Sequence, residues 1–212
     1  MDKLSDAIPE EEISSPFKNV QKKIIASSMS DIKNYRAKDV AAISLFIWDE
    51  MVHRGIAKEP FKIAPIINND FKGIYEFVTK EFGCEPVTDA YAVSYFNELD
   101  SEYSFVDATL VQCFPEDIHI ADVEFADNRK PLKGKSASKG VRSFHGLHVF
   151  SDFISRLKII AKARDAKRLS LMVADSDLYP VFKRHGFVVS DTQMAQMAFN
   201  GPRMGFPMIL PV

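Results

Sequence analysis

Apolar residues recur at helical spacing in the first part of the chain and at alternating spacing in its middle. Behind Ser15 and Pro16, an N-cap and a first-turn proline, Phe17, Val20, Ile24 and Ile25 predict a helix to about Ser27. A second helix is predicted from about Asp39 to Arg54, stopped by Gly55. Its stripe of Val40, Ile43, Ile47 and Met51 is widened by Leu45, Phe46 and Trp48, so burial on more than one side is expected. Asn69 caps a third, carrying Phe71, Ile74, Phe77, Val78 and Phe82 up to Gly83. Strand character follows at Tyr91 to Phe96, Phe105 to Phe114 and Ile118 to Phe125, where aromatic and β-branched residues gather.

Between Phe125 and the next helix lies a predicted loop of about twenty residues, long for a compact domain. From Arg129 to Arg142 it carries Arg129, Lys130, Lys133, Lys135, Lys139 and Arg142 and no acid. A helix opening on Ser151 then places Phe153, Ile154, Leu157 and Ile160 on one face. Leu169 to Ala174 alternates as a strand, a second helix follows, and Gly186-Phe187 makes a corner. Val188 to Val189 and Phe206 to Leu210 read as a closing strand pair, with Gly201-Pro202 marking the turn between them.

At 212 residues, 46% hydrophobic and 26% charged, the chain can bury a sizeable core and has the composition of an ordinary globular protein. Residues 1 to 14 are polar and acid-rich, so a flexible acidic arm is expected there, with 15–87 a helical N-terminal region and 88–212 the core, the last two expected to form one folded unit. The longest apolar stretch, Val40 to Trp48, is too short to span a bilayer, and the start lacks the basic and apolar regions of a secretory signal. A cytoplasmic protein without membrane partners is expected. Cys84 and Cys113, the two cysteines, have neither zinc-site nor disulfide spacing, and the net charge of -2 disfavours a wholesale nucleic-acid binder.

The stretch from Gly146 to Phe187, ending Tyr179-Pro-Val-Phe-Lys-Arg-His-Gly-Phe187, resembles the acyl-CoA-binding half of the GNAT superfamily of N-acetyltransferases. The resemblance is strong over the C-terminal third and weak from about Thr88. It implies an α/β fold with a mixed, largely antiparallel sheet flanked by helices, here with a helical N-terminal elaboration. It also implies acetyl-CoA as acyl donor, no metal, and an amine acceptor that is a small molecule or a protein; a homodimer is left open. The family's pyrophosphate loop aligns with Ser143, Phe144, His145, Gly146, Leu147, His148 and Val149, of which only the first glycine matches the motif. In the last helix, the positions where the family carries Asn, Ala and Tyr hold Asp175, Leu178 and Phe182. The thiol-protonating tyrosine is absent from its slot, and Tyr179, three residues earlier, is the alternative acid.

By the same resemblance Glu124 is the candidate proton acceptor. Asp122 shares its strand face, so the two carboxylates can perturb one another; an ordinary strand-end acid is the plainer account. Backbone N–H groups at a helix start attract anions, so the Ser143 to Val149 turn can serve as a phosphate cradle despite its poor motif. The basic loop suits the phosphates of CoA, a charged acceptor, or simply water. His145 and His148 lack a third ligand for a metal. Met194, Met197, Met204 and Met208 fit either a core or an acceptor pocket. The rival to an enzyme is a non-catalytic scaffold with the same fold, gripping a protein partner.

Overall fold

Strand pairing, rather than local periodicity, decides the first part of the chain. The structure, a computed structural model, describes residues 3–67, 71–99, 103–114, 116–131, 144–201 and 205–212. Instead of a helix from Ser15 to Ser27, residues Gln21–Ala26 form strand β1 against β2, Val87–Phe96. Phe17 lies 4.4 Å from the ring of Phe105 under the Arg129 guanidinium, and the Lys22 ammonium reaches Glu10 and the Tyr95 ring. A ladder with a distant strand therefore wins over the helix-like spacing, and Ser15, the predicted N-cap, instead closes the short helix Glu10–Ser14.

The acid-rich start is not a mobile arm. A 3-10 turn, Leu4–Ala7, and helix α1, Glu10–Ser14, bury Leu4, Ala7, Ile8 and Ile13 against the sheet and against α6, Phe150–Ala163. The acids project outward, and Glu12 pairs with Arg156 of α6 at 2.8 Å. Composition misled here because four apolar residues among acids suffice to pin a short segment.

Helices α2, Met29–Tyr35, α3, Ala37–His53, α4, Ala64–Ile67, and α5, Phe71–Phe82, follow. Ser28 caps α2 by accepting from the Asp31 amide; the predicted cap of α5, Asn69, lies outside the described residues. As its wide stripe predicts, α3 is buried on several sides, Ile43, Phe46, Ile47 and Met51 being fully inaccessible. One helical layer, α2, α3 and α5, packs on one sheet face, and the N-terminal segment, α6 and α7, Tyr179–Arg184, on the other.

Among the described residues the sheet has eight strands in the order β1-β2-β3-β4-β6-β8-β7, with β5 on β4. Here β3 is Val106–Cys113, β4 Asp117–Pro131, β5 Phe144–Gly146, β6 Arg168–Val173, β7 Val188–Val189 and β8 Phe206–Pro211. Every pairing is antiparallel except β4 with β6. This is the mixed, largely antiparallel α/β sheet expected from the GNAT resemblance.

Three further expectations are corrected. The predicted loop after Phe125 begins as a continuation of β4 to Pro131, and the chain returns along it as β5. The next helix starts at Phe150 with Val149 as N-cap, so Ser151 lies in its first turn. Between β7 and β8 the chain forms helix α8, Gln193–Asn200, capped by Thr192, whose hydroxyl accepts from the Ala195 amide. Among the described residues no helix is long and apolar enough to cross a membrane.

Candidate active site

Strand β4 carries the feature that opens the molecule. Thr109 of β3 pairs with Asp122 and Leu110 with Ile120, so Ala121 bulges out of the ladder. A bulge bends its strand and increases local twist. On the other side β4 pairs with β6 only from Asp117↔Arg168 to Ile120↔Leu171, and the two strands part where the bulge falls. Beyond that point a cleft of about 870 Å³ lies along β4. Its walls are Val123 to Ala126 of β4, the turn and helix start at Gly146, His148, Phe150 and Ser151, and Leu178, Val181, Phe182, Arg184 and His185 from α7 and the residues on either side of it.

Backbone direction matters here. Ala126 donates to Phe105 O on the β3 side, whereas Phe125 O accepts from Leu147 N on the opposite side. Amide groups alternate along a strand, so Phe125 and, two residues back, Val123 present their N–H and C=O away from β3, toward the cleft. Gly146 pairs with Ala126, and a Cβ built on it would stand 3.1 Å from Phe125 O. This glycine therefore serves the close approach of the returning chain to β4. His148 takes a left-handed φ of 64°, which turns the chain into α6. Val149 offers no side-chain cap, so the first amides of α6 lack a side-chain acceptor where Phe150 and Ser151 meet the cleft.

The apolar lining is an aromatic run. Phe150 lies 5.8 Å from Phe182 and 4.9 Å, edge on, from His185, and Phe125 meets Phe153 at 5.4 Å. Burial, Arg184 and Lys158 hold the His185 imidazole below its ordinary range, so it is neutral at pH 7. Arg184 is exposed and makes no ion pair with a described residue.

Asp122 and Glu124 project from the face opposite Val123 and Phe125. There, Arg36 sits among three acids from three elements, with Ser94 of a fourth beside them. It reaches Asp107 and Ser94 at 2.7 Å, and Asp39 and Asp122 at 3.5 Å. Asp39 further accepts from Thr109, and Asp107 from Ser94 and Ser104. One guanidinium serves three carboxylates. Asp122 keeps 44% of its side chain open to solvent, yet crowding by protein, Asp39 and Asp107 push it up to about 7.

The structure thus brings together Glu124, Gly146, His148 and Phe182 around one cleft, with Leu147 and Val149 packed behind it. Ser143 and the side chains of Phe144 and His145 lie outside the described residues, as do Lys133, Lys135, Lys139, Arg142 and Met204. Two candidates fall elsewhere. Tyr179 packs its ring on Phe199 and Phe206 at 5.2 and 6.1 Å and does not line the cleft. Asp175 caps the 3-10 turn Ser176–Leu178 by accepting from the Asp177 amide. Of the basic stretch, Arg129 and Lys130 are committed to the buried Asp127. Sequence reasoning missed Arg184, His185 and, apart from Asp122, the Arg36 cluster. Only Arg184, in the last turn of a recognisable helix, left a readable signal.

No protein-family model and no curated protein matches the sequence. Among solved structures the fold is similar to nourseothricin acetyltransferase, at 13% identity and a TM-score of 0.35 over 58% of this chain. The chain spans 66% of that protein's length. It is similar also to an acetyltransferase from Streptococcus agalactiae, at 10% identity, TM-score 0.39, covering 92% of this chain and 100% of that one. A third is the catalytic domain of a Tetrahymena histone acetyltransferase in complex with coenzyme A, at 12% identity, TM-score 0.37, covering 92% and 93%.

Proposed function

We propose that the protein transfers an acyl group, most simply acetyl, from acyl-CoA to an amine. The observation that carries this reading is the parting of β4 from β6 at the Ala121 bulge, which exposes strand amides inside a cleft closed by a helix N-terminus. An extended donor bearing amides and phosphates fits that combination. Val123 offers both of its backbone groups and Phe125 its N–H to a pantetheine-like arm, the Phe125 carbonyl being held by Leu147; the first amides of α6 attract a pyrophosphate, and Arg184, without an ion pair among the described residues, supplies a cation at the rim.

In the proposed reaction the amine nitrogen attacks the thioester carbonyl, the C–S bond breaks, and the nitrogen's surplus proton passes to the carboxylate pair of Asp122 and Glu124. Asp122, at about 7, is the better matched acceptor at neutral pH; Glu124, on the cleft wall, is placed to receive or relay the proton. A strand amide facing the cleft polarises the carbonyl. Phe182 has no hydroxyl and Tyr179 is turned to Phe199 and Phe206, so the thiolate leaves without a tyrosine's proton. A thiolate is stable enough in water to leave unprotonated and take its proton from solvent afterwards.

The test is a melting curve with acetyl-CoA. At a hundredfold excess over Kd, a ligand that binds only the folded state adds about 2.7 kcal/mol, a rise of roughly 5–10 °C for a chain of this size. Gly146→Val is expected to shrink the shift, because its Cβ presses on Phe125 O and loosens the turn from β4. Arg184→Ala should weaken binding and flatten its salt dependence. No shift at millimolar acetyl-CoA would sink the reading. A shift without turnover on any amine would instead favour a non-catalytic scaffold, which Phe182 and the displaced Tyr179 already support.

A further inference from the structure

A second cavity, of about 530 Å³, lies between α3, the segment from Pro60 to Ile67, and the start of α8, and shares no residue with the cleft. Its walls are mostly apolar, with Leu45, Trp48, Phe61, Met194 and Met197 among them; His53, Thr192 and Gln193 are the polar residues beside Asp49. Phe61 and Met197 are 75% and 59% exposed and mark its outer side. Asp49, only 3% exposed, marks the inner side.

The partners of Asp49 are what make this cavity unusual. Its Oδ2 accepts from the Thr192 hydroxyl at 2.8 Å, and it forms no ion pair with any described residue. The adjacent Glu50, by contrast, takes both Arg54 and Arg168. A carboxylate held in an apolar chamber with one hydroxyl partner is costly to keep ionised. Burial and the neighbouring Glu50 push Asp49 up to about 6, so at neutral pH it still carries its charge. Thr192 is also the N-cap of α8, so the acid and the cavity wall are set by one residue.

We propose that this cavity binds a small organic ammonium compound, its cationic end on Asp49 and its apolar body against Trp48, Phe61 and the methionines. An ammonium gives the acid the charge-assisted bond it lacks. Indole and phenyl faces attract a cation as it enters, and methionine adapts to the shape of the body. The volume is that of a small-molecule site. The proposal stands whether or not the cleft takes acyl-CoA.

Trp48 is the chain's single tryptophan and lines the cavity, so its fluorescence reads occupancy directly. The full chain is titrated at pH 7.5 with 2-phenylethylammonium and with the neutral isostere 2-phenylethanol. The ammonium is expected to give a saturable change at a Kd at least about tenfold below that of the alcohol, a preference of the size that a charge-assisted bond supplies. Saturating free CoA should leave both titrations unchanged. In Asp49→Asn, whose amide oxygen can still accept from Thr192, the tenfold preference should vanish while the alcohol binds as before. Equal affinity for the two probes in the unmodified chain, no saturable change with either, displacement by CoA, or a preference that survives Asp49→Asn would each overturn the proposal.

Discussion

Arg168→Met is expected to cost about 3–5 kcal/mol of stability, the range for removing one partner from a buried ion pair. Arg168 bonds both oxygens of Asp117 and reaches Glu50 at 2.5 Å, and those acids are 0% and 1% exposed. Without it, only Arg54 remains for both, and Arg54 is shared with Glu116. Measured against a typical total of 5–15 kcal/mol, the loss should appear as a drop in Tm of roughly 10 °C or more. The deficit should shrink as pH falls. Removing the cation raises the folded-state pKa of Asp117, already raised by burial, and a raised carboxyl favours folding only once protonated. A loss under about 1 kcal/mol at pH 7 would show that water, and not Arg168, compensates the two acids. Asp117↔Arg168 is also the first pair of the short parallel ladder, so the same contact clamps the strands just below the point where they part.

Asp122→Asn is expected to lower kcat/KM for the acceptor by about 10²-fold or more, the usual contribution of a general base. The pH profile is the sharper reading. With an arylamine acceptor, unprotonated throughout, the rate of the unmodified chain should rise with pH and level off above about 7, as Asp122 loses its proton. The asparagine variant should be flat. Glu124→Gln should lower the rate and keep the inflection. If Asp122→Asn instead retains both turnover and inflection while Glu124→Gln loses both, the proton goes to Glu124 and the raised carboxyl of Asp122 is a by-product of its crowding. Either result requires turnover to exist, which the melting curve with acetyl-CoA tests beforehand.

The parts of the fold that could be read in the sequence are those whose stabilising partners lie within one element. Helices α3 and α6 announce themselves by apolar stripes, β6 by alternation, and the corner after α7 by Gly186, whose φ is 92°. Strand β1 could not be read this way. Its ladder is with residues some seventy positions away, and its local spacing imitates a helix. Helix α8 was readable and missed: Thr192 precedes Met194, Ala195, Met197 and Ala198 at helical spacing, obscured by the closing strands on either side. Half of the candidate site follows from the motif between Gly146 and Phe187. The other half, the bulge at Ala121 and the cluster on Arg36, is assembled from β2, β3, β4 and the start of α3, and no window of sequence contains it.

The burial of Leu4, Ala7, Ile8 and Ile13 beneath α6 has a bearing on how the chain folds. These residues close one face of the sheet, yet the helix they need comes from the far side of the sequence. Contacts of such long sequence separation carry a large loop-closure entropy and slow the search for the native state. During synthesis Leu4 to Ile13 are made well before α6 and have only the sheet to pack on until it is complete. Over that interval Tyr91, Tyr95 and Phe105, which share their cluster, have one side uncovered, and the partly made chain presents a sticky apolar face to its surroundings.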